Sequence, residues 1–513
     1  MIRETRGFPS PFTPFKEVPP GNAKAAENPM LKDKARIVRE LEKIIGPNGV
    51  ICEEDELRVY DTDGLTIFKA MPDVVVLPSS AEQVAEVVKV CHRETIPFVA
   101  RGSGTGLSGG ALPLEGGVLI GLNRVNRILE VDYENKRAVV EPGVINVWLT
   151  NAIAPRGYYY APDPASQIAC SIGGNVAENS GGVRTPKYGV TTNHILGLEI
   201  VLPDGEVVEL GGKTLDTPGY DLVGVFVGSE GTFGIATKVI ARIMKKPEAV
   251  KTLMAVFENL EDASNAVSGI VAAGIVPVSL EMMDNNAIQA VEKGVGAGYP
   301  LDAGAVLVVE VDGPRAEVEA LVHPITEVCK KNRVREVRVA KDDAERLLLW
   351  KGRKAAFAAM GQISPDYYVQ DAVIPRTKLP QIMAYISELS KKYGLRVANV
   401  FHAGDGNLHP LILYDSRNEG ELHKAEEMGS EIMKACIGMG GSITGEHGVG
   451  REKREYMPLM YTEDDLEAMK NVKRVFNPDG VLNPGKIFPT GAKDVKAGPL
   501  GQRGIVEKVL GHS

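Results

Sequence analysis

The sequence predicts an α+β fold of two main packed units, a loop-rich first domain and a second domain built on a ferredoxin-like antiparallel sheet. Three observations lead there. At 513 residues the chain exceeds what one hydrophobic core usually fills. From Pro72 onward strands and helices alternate, interrupted by three runs dense in glycine. After Pro247 the pattern becomes a β-α-β unit that occurs twice, which folds into one sheet with helices on one face.

The elements follow in order. Residues 1–30 are rich in proline and polar groups, as in Pro19-Pro20-Gly21-Asn22, and read either as an extended arm on a partner or as a loose tail. A helical pattern over 33–45 opens the first domain (31–247). Asp73-Val74-Val75-Val76-Leu77 has the composition of a buried strand. Ser80, with Gln83 three residues on, starts a capped helix through Cys91. Residues 96–100, 117–122 and 137–140 are further strands. In the second domain (248–455), 253–257, 276–283, 305–311 and 334–340 read as strands, with helices at 260–273 and 315–330. Helices are also expected at 343–358 and 378–393. A C-terminal segment (456–490) carries a helix at 462–476, stopped by Asn477-Pro478-Asp479-Gly480. A tail covers 491–513.

Composition removes several classes. Glycine takes 56 of 513 positions, against a usual share of about 7%, and it clusters where backbone could approach a ligand. The net charge of −9 and the lack of a basic run argue against nucleic-acid binding. The five cysteines are scattered, odd in number and form no CxxC, so neither a disulfide framework nor an iron–sulfur cluster is expected. Reduced thiols in the cytoplasm are the expected state. No apolar run reaches the ~18 residues of a membrane span, and no secretory h-region is seen.

The first glycine run is Arg101-Gly102-Ser103-Gly104-Thr105-Gly106-Leu107-Ser108-Gly109-Gly110. Following a strand, it can form a nest of backbone N–H groups for a pyrophosphate. A nicotinamide Rossmann site needs a helix directly after the glycines and an acidic residue about 20 residues on. Here Pro113 and Gly116-Gly117 follow instead, and Gly121-Leu122-Asn123 ends the next strand without an acid. Two more small-residue loops follow. One runs from Pro162-Asp163-Pro164-Ala165-Ser166 to Ser171–Gly182, the other is Gly228-Ser229-Glu230-Gly231-Thr232-Phe233-Gly234-Ile235. Three such loops imply a long ligand lying against backbone.

Phe401-His402-Ala403-Gly404-Asp405-Gly406-Asn407-Leu408-His409-Pro410 carries the chemistry. Asp-Gly between apolar runs predicts a two-residue hairpin turn, which would pair His402 directly with His409. Two imidazoles so placed can share a divalent ion. Gly445-Glu446-His447-Gly448 adds a carboxylate and another imidazole between glycines. Two His and one carboxylate leave positions open for substrate and suit zinc, iron(II) or manganese.

The three loops resemble the FAD-binding domain of the vanillyl-alcohol-oxidase superfamily, over roughly 72–246. The resemblance implies a two-subdomain FAD-binding domain. It implies cofactor contacts from Arg101, Gly102, Ser103, Gly104, Thr105, Gly106, Ser108 and Gly109. Further contacts would come from Pro162, Asp163, Ser166, Gly173, Gly174, Ala177, Asn179 and Gly182, and from Glu230, Gly231 and Ile235. Covalent members usually carry a histidine where Thr105 stands, and no histidine occurs in 93–193, so non-covalent FAD is expected. The histidine motifs resemble the C-terminal domain of FAD-linked 2-hydroxy-acid oxidases, of the glycolate oxidase flavin subunit and D-lactate dehydrogenase type, over about 40–490. That resemblance implies metal ligation by His402, His409 and Glu446, a general base at His447, and a substrate-carboxylate arginine at Arg353. Asn483, in Asn483-Pro484-Gly485-Lys486, matches the end motif that returns to the flavin.

The expected activity is oxidation of a small D-2-hydroxy acid, D-lactate or glycolate, to the 2-oxo acid. Electrons would pass to an iron–sulfur subunit, an electron-transfer flavoprotein or a quinone chain, with the enzyme at the membrane only through such a partner. An oligomer is left open. The D-2-hydroxyglutarate branch places polar residues near Val369 and Leu411, which disfavours that substrate here. The competing expectation is an electron-transferring flavoprotein subunit without its own hydroxy-acid chemistry.

Overall fold

A computed structural model describes residues 33–215 and 218–490. The arm expected at 1–30 and the tail at 491–513 lie outside the described residues. The chain begins with α1 (Lys34–Ile45), β1 (Val50–Ile51), β2 (Val74–Val76), α2 (Ala81–Arg93), β3 (Phe98–Arg101) and β4 (Val118–Gly121). β2 and β3 flank β4 in parallel, and β1 adds antiparallel at the edge. β2 and β4 are apolar at nearly every position and buried throughout, the pattern of a sheet covered on both faces. Ser80 caps α2 as expected, its hydroxyl accepting from the Gln83 N–H at 3.3 Å.

Next come β5 (Ile128–Asp132), β6 (Arg137–Val140), α3 (Ile172–Glu178), β7 (Ile195–Val201), β8 (Val207–Gly211) and β9 (Ile235–Arg242). The strands form an antiparallel sheet in the order β5-β6-β9-β7-β8.

The second domain follows as β10 (Ala249–Phe257), α4 (Leu260–Ala272), β11 (Ser279–Asp284), α5 (Asn285–Gly294), β12 (Ala305–Gly313), α6 (Arg315–Lys331) and β13 (Glu336–Val339). It continues with α7 (Asp343–Lys354), β14 (Asp366–Val369), α8 (Leu379–Tyr393), β15 (Val397–Phe401), β16 (Pro410–Tyr414) and α9 (Glu421–Gly438). The duplicated unit supplies β13-β10-β12-β11, a ferredoxin-like order, and the sheet continues through β15-β16-β14 to seven antiparallel strands.

The helices of the duplicated unit, α4 and α6, share one face as expected, and the other face is covered as well. Leu253, Ala255 and Phe257 of β10 pack with α4, α6, α8 and α9. Met254 and Val256 pack on the other side with α5 and α7. The physical reason is legible in β10 itself. Leu253-Met254-Ala255-Val256-Phe257 is continuously apolar, and a strand with one wet face alternates.

α10 (Glu463–Phe476) ends the helical part. The chain then runs back beside β3, where Phe98 N–H donates to Val481 O and Asn483 N–H donates to Phe98 O at 2.7 Å. The five cysteines are free thiols. Among the described residues no helix is long and apolar enough to cross a membrane.

Candidate active site

A cavity of about 360 Å³ is bordered by all three glycine loops and by the histidine cluster of the second domain. Of the expected cofactor contacts, residues 102–106, Ser166, Gly173, Gly174, Ala177, Glu230, Gly231, Ile235 and Asn483 border it. Loops one and two touch through Gly102, where a Cβ would stand 2.2 Å from Ser171 Oγ. Gly104 has φ +68° and leaves space that the Arg101 guanidinium fills from behind.

The other expected contacts do not border the cavity. Arg101 packs behind Gly104. Ser108 O accepts from the N–H groups of Arg451 and Glu452, and Gly109 lies beside Arg451. Pro162 O accepts from Asn146 Nδ2 at 3.1 Å. Asp163 pairs with Arg184 and Lys354. Asn179 ends α3 in the left-handed region, and Gly182 lies against the Asp163 carbonyl. Sequence reasoning missed Glu178, Lys354 and Phe357, which do border the cavity. Glu178 Oε2 is buried without a partner, and burial together with the neighbouring Glu230 holds this carboxyl well above its usual range.

The His402–His409 hairpin has a different register from the one expected. His402 and Asn407 exchange both backbone hydrogen bonds, at 3.1 and 3.2 Å, across a four-residue turn at 403–406. A two-residue type I′ turn needs positive φ at both central residues, and within 403–406 only Gly406 has it, at +76°. His409 is therefore the diagonal neighbour of His402, on the same face. The rings still meet, with centroids 5.2 Å apart.

Glu446 closes the group. Its Oε1 lies 3.1 Å from His402 Nε2 and 3.4 Å from His409 Nε2, and one ligand atom from each residue falls within 4.8 Å of the others. His447 Nε2 lies 3.8 Å from the same oxygen. The loop is held by Asp371, a buried residue whose role the sequence did not signal. Its carboxylate accepts from the N–H groups of Gly445, Glu446 and His447, from Thr444 Oγ1 at 2.6 Å and from Lys453 Nζ at 2.9 Å. A second carboxylate, Glu281, lies behind His402 Nδ1 at 2.9 Å and pairs with Arg353, which is 3% exposed.

Electrostatics favour a cation here. Burial opposes a charge on His402, yet Glu281 and Glu446 outweigh it and raise the imidazole well above its ordinary value. Burial likewise opposes ionisation of Glu446, and His402 outweighs it, holding the carboxyl down to about 2. His447 is pushed down to about 4, chiefly by burial, so it is a neutral, proton-accepting imidazole at pH 7. His409 Nε2 is buried without a hydrogen-bond partner. This donor set fits a divalent ion. The loop wall of backbone, glycine, alanine and serine fits an extended dinucleotide.

Residues 246–487 match the family described as FAD linked oxidases, C-terminal domain, and residues 72–211 match that described as FAD binding domain. The chain is 48% identical to the glycolate oxidase subunit GlcD of Escherichia coli (strain K12), over 89% of this chain and 92% of that one. It is 39% identical to the protein of the same name from Bacillus subtilis (strain 168), over 91% and 99%. To a D-lactate dehydrogenase of Anaerostipes hadrus it is 36% identical, over 87% and 96%. A crystal structure of p-cresol methylhydroxylase with substrate bound superposes with a TM-score of 0.75 at 21% identity, over 88% of this chain and 96% of that one. That likeness is one of fold, and it agrees with the FAD-domain architecture the glycine loops predicted. Matched along nearly its whole described length, the chain belongs to the FAD-linked oxidase family and is a flavin-dependent oxidoreductase.

Proposed function

We propose that this protein oxidises a small D-2-hydroxy acid, D-lactate or glycolate, to the 2-oxo acid. The observation that carries the reading is the convergence of Arg353, His402, His409, Glu446 and His447 on the cavity that the three glycine loops border. The names of the relatives support it.

FAD held by the glycine loops would supply a hydride acceptor for the α-hydrogen, and a divalent ion held by His402, His409 and Glu446 would supply a Lewis acid for the hydroxyl and carboxylate oxygens. Arg353 holds the substrate carboxylate. His402, His409 and Glu446 hold the ion. His447 takes the hydroxyl proton, so the alcohol loses one hydride and one proton and leaves as a 2-oxo acid. Thr105 offers no imidazole for a flavin linkage, in keeping with non-covalent FAD. Val369 and Leu411 are register partners packed in the apolar core and do not border the cavity, so the preference for a monocarboxylate over D-2-hydroxyglutarate rests on the names of the relatives. Electrons leave to a partner protein, an iron–sulfur subunit or an electron-transfer flavoprotein, in the cytoplasm.

The test is anaerobic flavin absorbance during titration with D-lactate, L-lactate, glycolate and D-2-hydroxyglutarate, with and without a chelator. Bleaching by D-lactate or glycolate that chelation abolishes is the expected result. FAD-replete protein that none of them bleaches would instead be an electron-transferring subunit.

A further inference from the structure

His402 and Arg353 reach the cavity from different elements, the turn after β15 and the last turn of α7, and they meet one carboxylate. Glu281 sits in the middle of β11 and is 1% exposed. Leu280 and Met282 face the core under α4 and α6. Strand alternation therefore turns Glu281 to the other face, toward α7. There its two oxygens stand 3.0 and 2.9 Å from His402 Nδ1, and Oε2 also accepts from Arg353 Nη2. Arg353 Nε has no partner.

We infer that Glu281 is the positioning residue of the site, orienting the metal ligand and the substrate-binding arginine with one side chain. This rests on the metal and arginine roles proposed above. A histidine that ligates through Nε2 needs its proton on Nδ1 and an acceptor there, which fixes both tautomer and ring angle. Glu281 is that acceptor, while His402 Nε2 faces Glu446. The same carboxylate holds one edge of the Arg353 guanidinium and leaves the rest for a substrate carboxylate. Ion affinity and carboxylate affinity are thus built on one support. Removing it weakens both, without touching the loops that border the flavin cavity.

The experiment uses FAD-loaded wild type, E281Q and E281D. Each is stripped with a chelator and titrated with Mn²⁺ and Zn²⁺ by calorimetry. Pyruvate is then titrated against the flavin spectrum. E281Q is expected to lower ion affinity by about 10- to 100-fold and to weaken pyruvate binding, with FAD content unchanged. E281D, charged but one methylene shorter, recovers part of the ion affinity and covers the case in which E281Q does not fold. Wild-type ion affinity or wild-type pyruvate affinity in E281Q overturns the inference, as does an E281D no better than E281Q. Loss of FAD in step with the ion overturns it too, because it marks a folding role. Wild type that takes up neither ion refutes the metal reading itself, and that control separates the two failures.

Discussion

The imidazole rings of His409 and His447 lie stacked, their centroids 4.9 Å apart and their planes 12° from parallel. One of the pair has its ligand atom against Glu446 at 3.4 Å, and the other stands at 3.8 Å. The stack gives His447 a fixed place beside the ion site while its proposed work is proton removal. H447Q should lower kcat by about 10²- to 10⁴-fold and leave FAD and metal content intact. Turnover measured against flavin absorbance and metal analysis checks this, and a parallel fall in all three would remove His447 from the role of base.

Ion removal should separate two ways of reducing the flavin. After chelation, or in H409N, D-lactate and glycolate should no longer bleach the flavin, whereas dithionite still should. Stopped-flow absorbance under nitrogen reads both. Undiminished bleaching by the hydroxy acids in H409N would exclude the ligand set.

Thr105 borders the cavity and offers no imidazole for a flavin linkage. Acid precipitation should therefore release the whole of the flavin into the supernatant as FAD. Yellow pellet under denaturing conditions would contradict this.

Asp371 accepts from three consecutive N–H groups and from Lys453, itself 1% exposed. D371A removes the closest partner of a buried ammonium, leaving it Gly448 O at 3.5 Å and Glu452 at 3.9 Å, and breaking such a pair costs about 3–5 kcal/mol. It also frees loop 444–447. Chemical denaturation should show the loss of stability, and ion affinity should fall with it. D371N, which keeps the shape but not the charge, should fall between.

What was legible in the sequence follows a physical divide. Elements defined by local chemistry were readable. Ser80 announced its helix, and the β-α-β texture after Pro247 announced the sheet. His402, His409, Glu446 and His447 were readable because two short glycine-bracketed runs carry them. Glu281 and Asp371 were not, because each acts on residues about 70 or more positions away and no spacing rule spans that distance. A signal did exist. Glu281 interrupts Val278-Ser279-Leu280-Glu281-Met282-Met283, and a charge in a buried strand has to be paired. The hairpin register was misjudged because Asp-Gly also suits a four-residue turn, in which one positive φ suffices.

The loop bearing Glu446 and His447 is fastened at two ends. Asp371 of the second domain holds 445–447, and Glu230 of the first domain accepts from Val449 and Gly450 N–H at 2.7 and 2.6 Å. Parting the domains at this seam means breaking the two bonds to Glu230 together with those from the Arg451 and Glu452 N–H groups to Ser108 O and the ion pairs Asp163–Lys354 and Lys187–Asp312. The clasp also makes the reactive centre indivisible: any fluctuation wide enough to flood His447 with bulk water dismantles the wall of the dinucleotide chamber in the same movement.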